Sequence, residues 1–290
     1  MPFPQIELPL LLTIAGVGGL VVGSFLNVVI HRLPIMIERE LSDAVQEQLA
    51  PEGAPDRPQA RERFDLWWPP SSCPACHRRI AAWDNLPVIG YLRLRGRCAS
   101  CRATISPRYP LVEALTAALF LIVAWRLGAS WATPLGWLFA ALLIAQSAID
   151  LDHKLLPDEL VYLLLWSGLL ASLLGPFTTP GAAIIGAAAG YGALYLLRLL
   201  WLQAFGREAI GLGDAKLVAA LGAWFGWQAL PTLLLLAALL GIAVTLAQRL
   251  ARGRGGTQEI AFGPYLAVAG GLQLLFGAEM AQVSVLLIRL

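Results

Sequence analysis

Charge is what this sequence has least of. Asp, Glu, Lys and Arg make up 14% of its 290 residues, while 58% are hydrophobic. A soluble domain carries about 25% charged and roughly 45–50% apolar residues. That shift points to a chain whose main solvent is lipid. The formal net charge of +2 is too small for a nucleic-acid binder, and no nucleic-acid partner is expected. Residues 1–7 contain no Lys or Arg, and no A-x-A site precedes the first charged loop. Both absences argue against a cleaved signal peptide, so the first apolar stretch is expected to be a retained helix with its N-terminus outside. The three histidines, His31, His77 and His153, are scattered, and neither a Ser-His-Asp nor an HExxH pattern is present. A Gly-rich Rossmann-type loop is also missing.

What the chain has instead is apolar runs long enough to cross a hydrocarbon core of about 30 Å, which takes about 20 residues each. Eight candidate spans are expected: 8–30, 110–127, 131–149, 159–174, 181–202, 215–227, 228–247, and one from Phe262 to the C-terminus that is interrupted by Gly277-Ala278-Glu279. Twelve Arg lie between Arg32 and Arg108. Lys154, Arg198, Arg207, Lys216, Arg249, Arg252 and Arg254 fall on the same side under eight spans, with Arg126 and Arg289 on the other. The basic side is expected to be cytoplasmic, which puts both termini in the periplasm of a bacterial inner membrane. The expected fold is an all-α polytopic membrane protein of about eight transmembrane helices plus a small cytoplasmic zinc-ribbon-like insert. Three parts follow: a first transmembrane helix (1–31), the insert (32–109) and a membrane core (110–290).

Within the insert, residues 35–49 read as a surface helix with Ile35, Leu41, Val45 and Leu49 near one face. Residues 51–63 read as a Pro- and Arg-rich linker, and Phe64 to Trp68 as an aromatic interface cluster. The four cysteines of the chain are all here, as Cys73-Pro-Ala-Cys76 and Cys98-Ala-Ser-Cys101, with twenty-one residues between the pairs. Each turn can place two thiolates around a metal, and two turns complete a tetrahedral Zn²⁺ shell. Two disulfides are the alternative, disfavoured by the reducing cytoplasm. So is a redox CxxC, disfavoured by the second pair. An insert this small lacks a core, so a structural metal would supply much of its stability. Anionic lipid is a conceivable partner of its arginines.

Carboxylates at the edges of apolar spans carry the chemistry. Asp150-Leu-Asp152-His153 ends the third span, and Gly211-Leu-Gly-Asp214 enters the sixth. Asp150 directly follows the apolar run, whereas Asp152 points to another face of any helix. Asp158 after Pro157 suits an N-cap, and Glu159 complements the positive end of that helix. Asp150 and Asp214 are therefore the candidate catalytic pair. A plain helix-end Asp and an N-cap, respectively, are their structural alternatives. Two facing carboxylates share a proton, so one can activate water while the other polarises a peptide carbonyl.

At these residues the sequence resembles the bacterial type IV prepilin peptidase family of GxGD membrane aspartic proteases. The resemblance covers nearly the whole chain. It runs through Gly23-Ser-Phe-Leu-Asn27-Val-Val-Ile-His31-Arg32-Leu-Pro34, the two CxxC pairs, Ile105-Ser-Pro-Arg108-Tyr-Pro-Leu-Val-Glu113, Asp150-Leu-Asp-His, Pro157-Asp158 and Gly211-Leu-Gly-Asp214. It implies that Asp150 and Asp214 form the dyad. It implies cleavage of a short basic leader, after a glycine, from type IV prepilins and type II secretion pseudopilins. It also implies methylation of the new N-terminal amine from S-adenosylmethionine, because the tetracysteine insert marks bifunctional members. Asn27, Gly96, Arg97 and Glu113 are candidate contributors to methyl transfer. An interhelical hydrogen bond for Asn27, a helix-dipole role for Glu113 and shaping of the metal turn by Gly96 and Arg97 are the plainer readings. The small residues from Gly181 to Gly192 are expected to let helices pack closely. A proton or cation transporter, a peptidase without methylation as in archaeal preflagellin peptidases, and a presenilin-like enzyme are the competing readings.

Overall fold

The computed structural model describes residues 6–49, 63–207, 211–252 and 261–289. Among these, helix is the sole regular secondary structure: α1 (Leu8–Leu49), α2 (Ile89–Arg93), α3 (Arg108–Leu127), α4 (Ala132–His153), α5 (Asp158–Ser172), α6 (Pro180–Phe205), α7 (Leu212–Phe225), α8 (Leu230–Arg252) and α9 (Gly263–Arg289). The expected linker before Arg63, and Arg254, lie outside the described residues. Among the described residues five helical stretches are long and apolar enough to cross a membrane: Leu8–Leu49, Arg108–Leu127, Ala132–His153, Pro180–Phe205 and Trp227–Ala251. The fourth and sixth expected spans, α5 and α7, have 15 and 14 residues, short of the about 20 that a full crossing takes. The chain forms two compact units, one of residues 14–119 and one of the residues up to Thr13 together with Phe120 onward.

In the unit of residues 14–119, α1 and α3 meet along a seam of small residues. A Cβ on Gly19 would come 2.6 Å from Ala117 Cα, and one on Gly23 would come 2.7 Å from Glu113 Cα. One turn further on, Asn27 Nδ2 donates to the Tyr109 carbonyl at 3.1 Å. Glycines at a four-residue spacing let backbones touch, and a side-chain amide then bridges the helices.

A separate surface helix from Ile35 is not found. α1 instead continues through Pro34 as one 42-residue helix. Proline removes a single backbone donor, and a loop splints the helix across that point. Arg32 donates to the carbonyls of Asp65 and Pro69, and the Arg39 guanidinium lies 4.2 Å from the centroid of the Phe64 ring.

In the other unit, α7 is the hub. Every residue of α7 from Leu217 to Phe225 is buried, as befits a short helix that is apolar all round. Glycine makes room for it on three sides. Gly186 of α6 lies against Gly222, and Gly190 against Val218. Gly168 of α5 leaves space for the Trp224 indole, whose Nε1 donates to the Leu164 carbonyl at 2.8 Å. Gly270 of α9 faces Leu221, Phe139 and Leu143. The Phe139 ring, 4.8 Å from Trp224 and 5.3 Å from Phe225, closes the packing from α4.

Candidate active site and metal centre

α4 runs four residues past the expected end of its apolar run, so Asp150 lies in its last turn rather than after it. The helix stops at Lys154, whose left-handed backbone (φ 55) returns its N–H to the Asp150 carbonyl at 3.0 Å. The Asp150 side chain is 5% exposed, whereas Asp152 is exposed. Charged groups this deep default to function, so burial separates the two acids as the apolar pattern predicted.

Asp150 Oδ2 accepts from the Gly263 backbone N–H at 2.9 Å. That N–H is one of the orphan donors at the start of α9. Gly263 has no substitute here, because a Cβ would stand 2.7 Å from the Asp150 carboxylate and 3.2 Å from Leu156. Leu156 in turn lies 3.1 Å from the Cβ position of Gly213, directly before Asp214. One apolar side chain thus separates the glycine beside Asp214 from the glycine that binds Asp150. Asp214 is half-buried in the first turn of α7 and accepts from the Gly211 N–H, the return half of a capping box. Its cap role and its place beside Asp150 coexist, and the two carboxylates are close enough to repel each other.

Asp158 is not the cap of α5. Pro157 holds that position, and Asp158 begins the helix. Its two carboxylate oxygens each take a 2.7 Å bond from Lys216 Nζ, which also lies 5.5 Å from the Tyr162 ring. This ion pair clasps the N-termini of α5 and α7. The sequence alone marks Lys216 only as a topology charge and gives Gly263 no role. A glycine followed by proline at the head of the last apolar run, Phe262-Gly263-Pro264, was the available signal.

In the other unit the cysteines form two equivalent knuckles. Cys73 and Cys98 each donate their N–H to a carbonyl five residues on, Arg78 and Ala103. His77 and Arg102, at φ 55 and 60, each return an N–H to the first cysteine. Isolated antiparallel bridges, Ser72 with Arg79 and Arg97 with Thr104, close the two turns.

All four Sγ atoms lie within 4.8 Å of one another, and those of Cys73 and Cys101 are 3.8 Å apart. A tetrahedron with metal–sulfur bonds of about 2.3 Å has edges of about 3.8 Å. The thiol set therefore fits a Zn²⁺ ion, and no disulfide links the four cysteines. Backbone N–H groups of Cys101 and Ser100 hold the Cys98 thiol down at about 6. Cys101, although the Ala103 N–H pulls it down, is pushed up to about 11 by burial and the neighbouring thiols. Thiolate is the form that binds metal, so Cys98 is ready to ligate at neutral pH.

The four residues expected to assist methyl transfer do not gather at one point among the described contacts. Asn27 and Glu113 are buried and engaged with backbone: Asn27 with Tyr109, and Glu113 Oε2 with the Val88 N–H at 2.7 Å. Val88 is a β-branched residue at φ 59, a conformation that needs such an anchor. Gly96 at φ 67 faces the Tyr91 hydroxyl, and Arg97 belongs to the second knuckle.

Two family models cover most of the sequence. Residues 17–127 match the bacterial peptidase A24 N-terminal domain, and residues 137–246 match the type IV leader peptidase family. The chain is 47% identical over 264 residues to a prepilin leader peptidase/N-methyltransferase of Aeromonas salmonicida, covering 91% of this chain and 90% of the relative. It is 48% identical over 266 residues to that of Aeromonas hydrophila, covering 91% and 90%. It is 46% identical over 265 residues to that of Pseudomonas aeruginosa, covering 91% and 90%. No solved structure matches the chain.

Proposed function

Since the chain belongs to the type IV leader peptidase family, we propose that it removes the leader peptide from type IV prepilins and related pseudopilins and then methylates the exposed N-terminal amine. The observation that carries the peptidase reading is the buried Asp150 carboxylate, bound by the Gly263 N–H and facing Asp214 across Leu156 and the two glycines. Asp150 and Asp214 are the catalytic dyad.

Two such acids hold one proton between them at working pH. The ionised one takes a proton from water as the water oxygen bonds to the scissile carbonyl carbon. The protonated one donates to the carbonyl oxygen. The tetrahedral intermediate collapses when the amide nitrogen receives a proton and the C–N bond breaks. No covalent enzyme intermediate is required. The glycines at 211, 213 and 263 leave room for an extended substrate strand to approach the acids. The junction between an apolar pilin helix and its basic leader suits a site at the membrane edge. Under the positive-inside rule the dyad and the insert face the cytoplasm of a bacterial inner membrane and both termini the periplasm, with α5 and α7 as the two short members of the eight spans.

Cys73, Cys76, Cys98 and Cys101 hold a structural zinc ion, which fixes the two knuckles. S-adenosylmethionine supplies the methyl group when bound. Asn27 and Glu113 serve that reaction by fixing the α1–α3 seam and the turn at Val88, and Gly96 and Arg97 by shaping the second knuckle.

The test is cleavage and methylation of a prepilin by purified protein in lipid nanodiscs. Asp150→Asn and Asp214→Asn each abolish cleavage, while Asp152→Asn retains it. A cysteine-to-serine substitution at Cys73 or Cys98 abolishes methylation while cleavage persists. An active Asp150→Asn protein would remove the dyad assignment, and a wild type that cuts nothing would remove the peptidase reading altogether.

A further inference from the structure

Gln146 is 1% exposed, and neither its Nε2 nor its Oε1 has a hydrogen-bond partner. A whole carboxamide without partners in a lipid-embedded helix bundle is costly, because no bulk water is available to it. Its position is informative. Gln146 lies one turn before Asp150 on α4, four residues away and on the same face. The register of α9 can be read from two contacts, Gly270 against Leu143 and Gly263 against Asp150. Leu143 and Asp150 are seven residues apart on α4, as are Gly263 and Gly270 on α9, so Gln146 lies level with Leu266 and Ala267, which offer it no side-chain partner. From α7, Leu221, which meets the same Gly270 as Leu143, is apolar as well. The nearest polar side chain on its face of α4 is Asp150 itself, about 6 Å along the helix axis.

We propose that Gln146 is a positioning residue of the acid pair: its Nε2 donates to the Asp150 oxygen that Gly263 leaves open, making Asp150 the ionised, water-activating member and Asp214 the acid. Gln–Asp pairs at this spacing bond within a helix. Two N–H donors on one carboxylate, Gly263 on one oxygen and Gln146 on the other, favour its charged form. Among the described residues Asp214 receives the Gly211 N–H, one donor against two, and is left to carry the shared proton. The inference rests on the dyad reading and adds a division of labour to it. The charged neighbours are accounted for on each packed element. Asp214 faces Asp150 from α7. Lys154, Asp152 and His153 on α4 are exposed, and the Lys154 ammonium acts on Asp150 by its charge in wild type and Gln146 variants alike. Asp158 on α5 is held by Lys216, beside Tyr162. Tyr265 on α9 lies against Gly241.

The test compares Gln146→Met, similar in length but without amide atoms, with wild type and with Asp150→Asn. The readouts are prepilin cleavage across pH in nanodiscs and thermal unfolding. Expected for Gln146→Met are an unchanged or higher Tm, an unchanged KM, a kcat lower by roughly 10-fold or more, and an acidic limb of the rate profile moved to higher pH. Gln146→Leu serves the same comparison if methionine is not accommodated. Wild-type kcat and pH profile in a folded apolar variant overturn the proposal, as does a loss confined to KM or a loss without movement of the profile. Activity in Asp150→Asn overturns the dyad reading instead, so the two failures are distinguishable.

Discussion

Gly186→Ala adds one methyl group to the face of α6 that packs on α7. An ideal Cβ there overlaps the Gly222 carbonyl oxygen and stands 2.8 Å from Gly226 C and from Trp227 N. Ordinary carbon contacts need about 3.5 Å, so the two helices must part by roughly 1 Å. α7 cannot absorb that shift elsewhere, because Trp224 is bonded to Leu164 and Gly270 presses on Leu221. Overpacking of this kind costs about 1–3 kcal/mol. The displacement is rigid along α7 and reaches Asp214 in its first turn. A misplacement of about 1 Å in a reacting group is worth about 10²-fold in rate. The expected outcome is therefore a folded, membrane-inserted protein that cleaves prepilin about a hundredfold more slowly. Gly222→Ala, whose Cβ would meet the Gly186 carbonyl, shows a similar loss, and the double variant falls short of the summed effects. Gly192→Ala is the control on the same helix, since nothing lies within 4 Å of its Cβ position. Rates come from the conversion of purified prepilin to its shorter form, and Tm from the same preparations. If Gly186→Ala cleaves as fast as Gly192→Ala, the glycine seam does not set the position of Asp214.

The remaining expectations are smaller or more local. Breaking the clasp with Asp158→Asn or Lys216→Met lowers cleavage by about 2- to 5-fold, because a half-exposed pair contributes no more than about 1 kcal/mol; the exchanged pair Asp158→Lys with Lys216→Asp recovers part of the loss, and no recovery would deny the pair a role. Among residues 63–107 Cys73 is the only buried side chain apart from glycines, so metal rather than an apolar core holds this segment together. Purified protein should contain one zinc ion per chain by elemental analysis. A chelator should open the segment to trypsin at its arginines while α4–α9 stay resistant, and equal resistance with and without chelator would refute the metal's structural role.

Much of the site was legible because burial follows the end of an apolar run. Asp150 directly follows that run and Asp152 does not, and their exposures differ accordingly. The cysteine spacing was equally readable, since a CxxC turn constrains its own thiols. What escaped were relations across distant segments. Asp158 looked like a cap because it follows a proline, but its partner Lys216 lies fifty-eight residues away. The apolar run ends at Ile30 and a separate helix was expected from Ile35, yet Arg32, Arg39 and the loop after Arg63 carry α1 through as one helix. Gly263 lacks any side chain to attract notice, and its contribution is a main-chain N–H.

That last point bears on how a mutational map of this protein would read. Position 263 should tolerate no replacement, and a scan would score it alongside the two acids. Yet every residue except proline supplies the same N–H, so the intolerance would report the crowding of a Cβ against Asp150 and nothing about the bond. Only replacement of the amide by an ester at this residue, which deletes the hydrogen and leaves the shape, would separate the donor from the space around it.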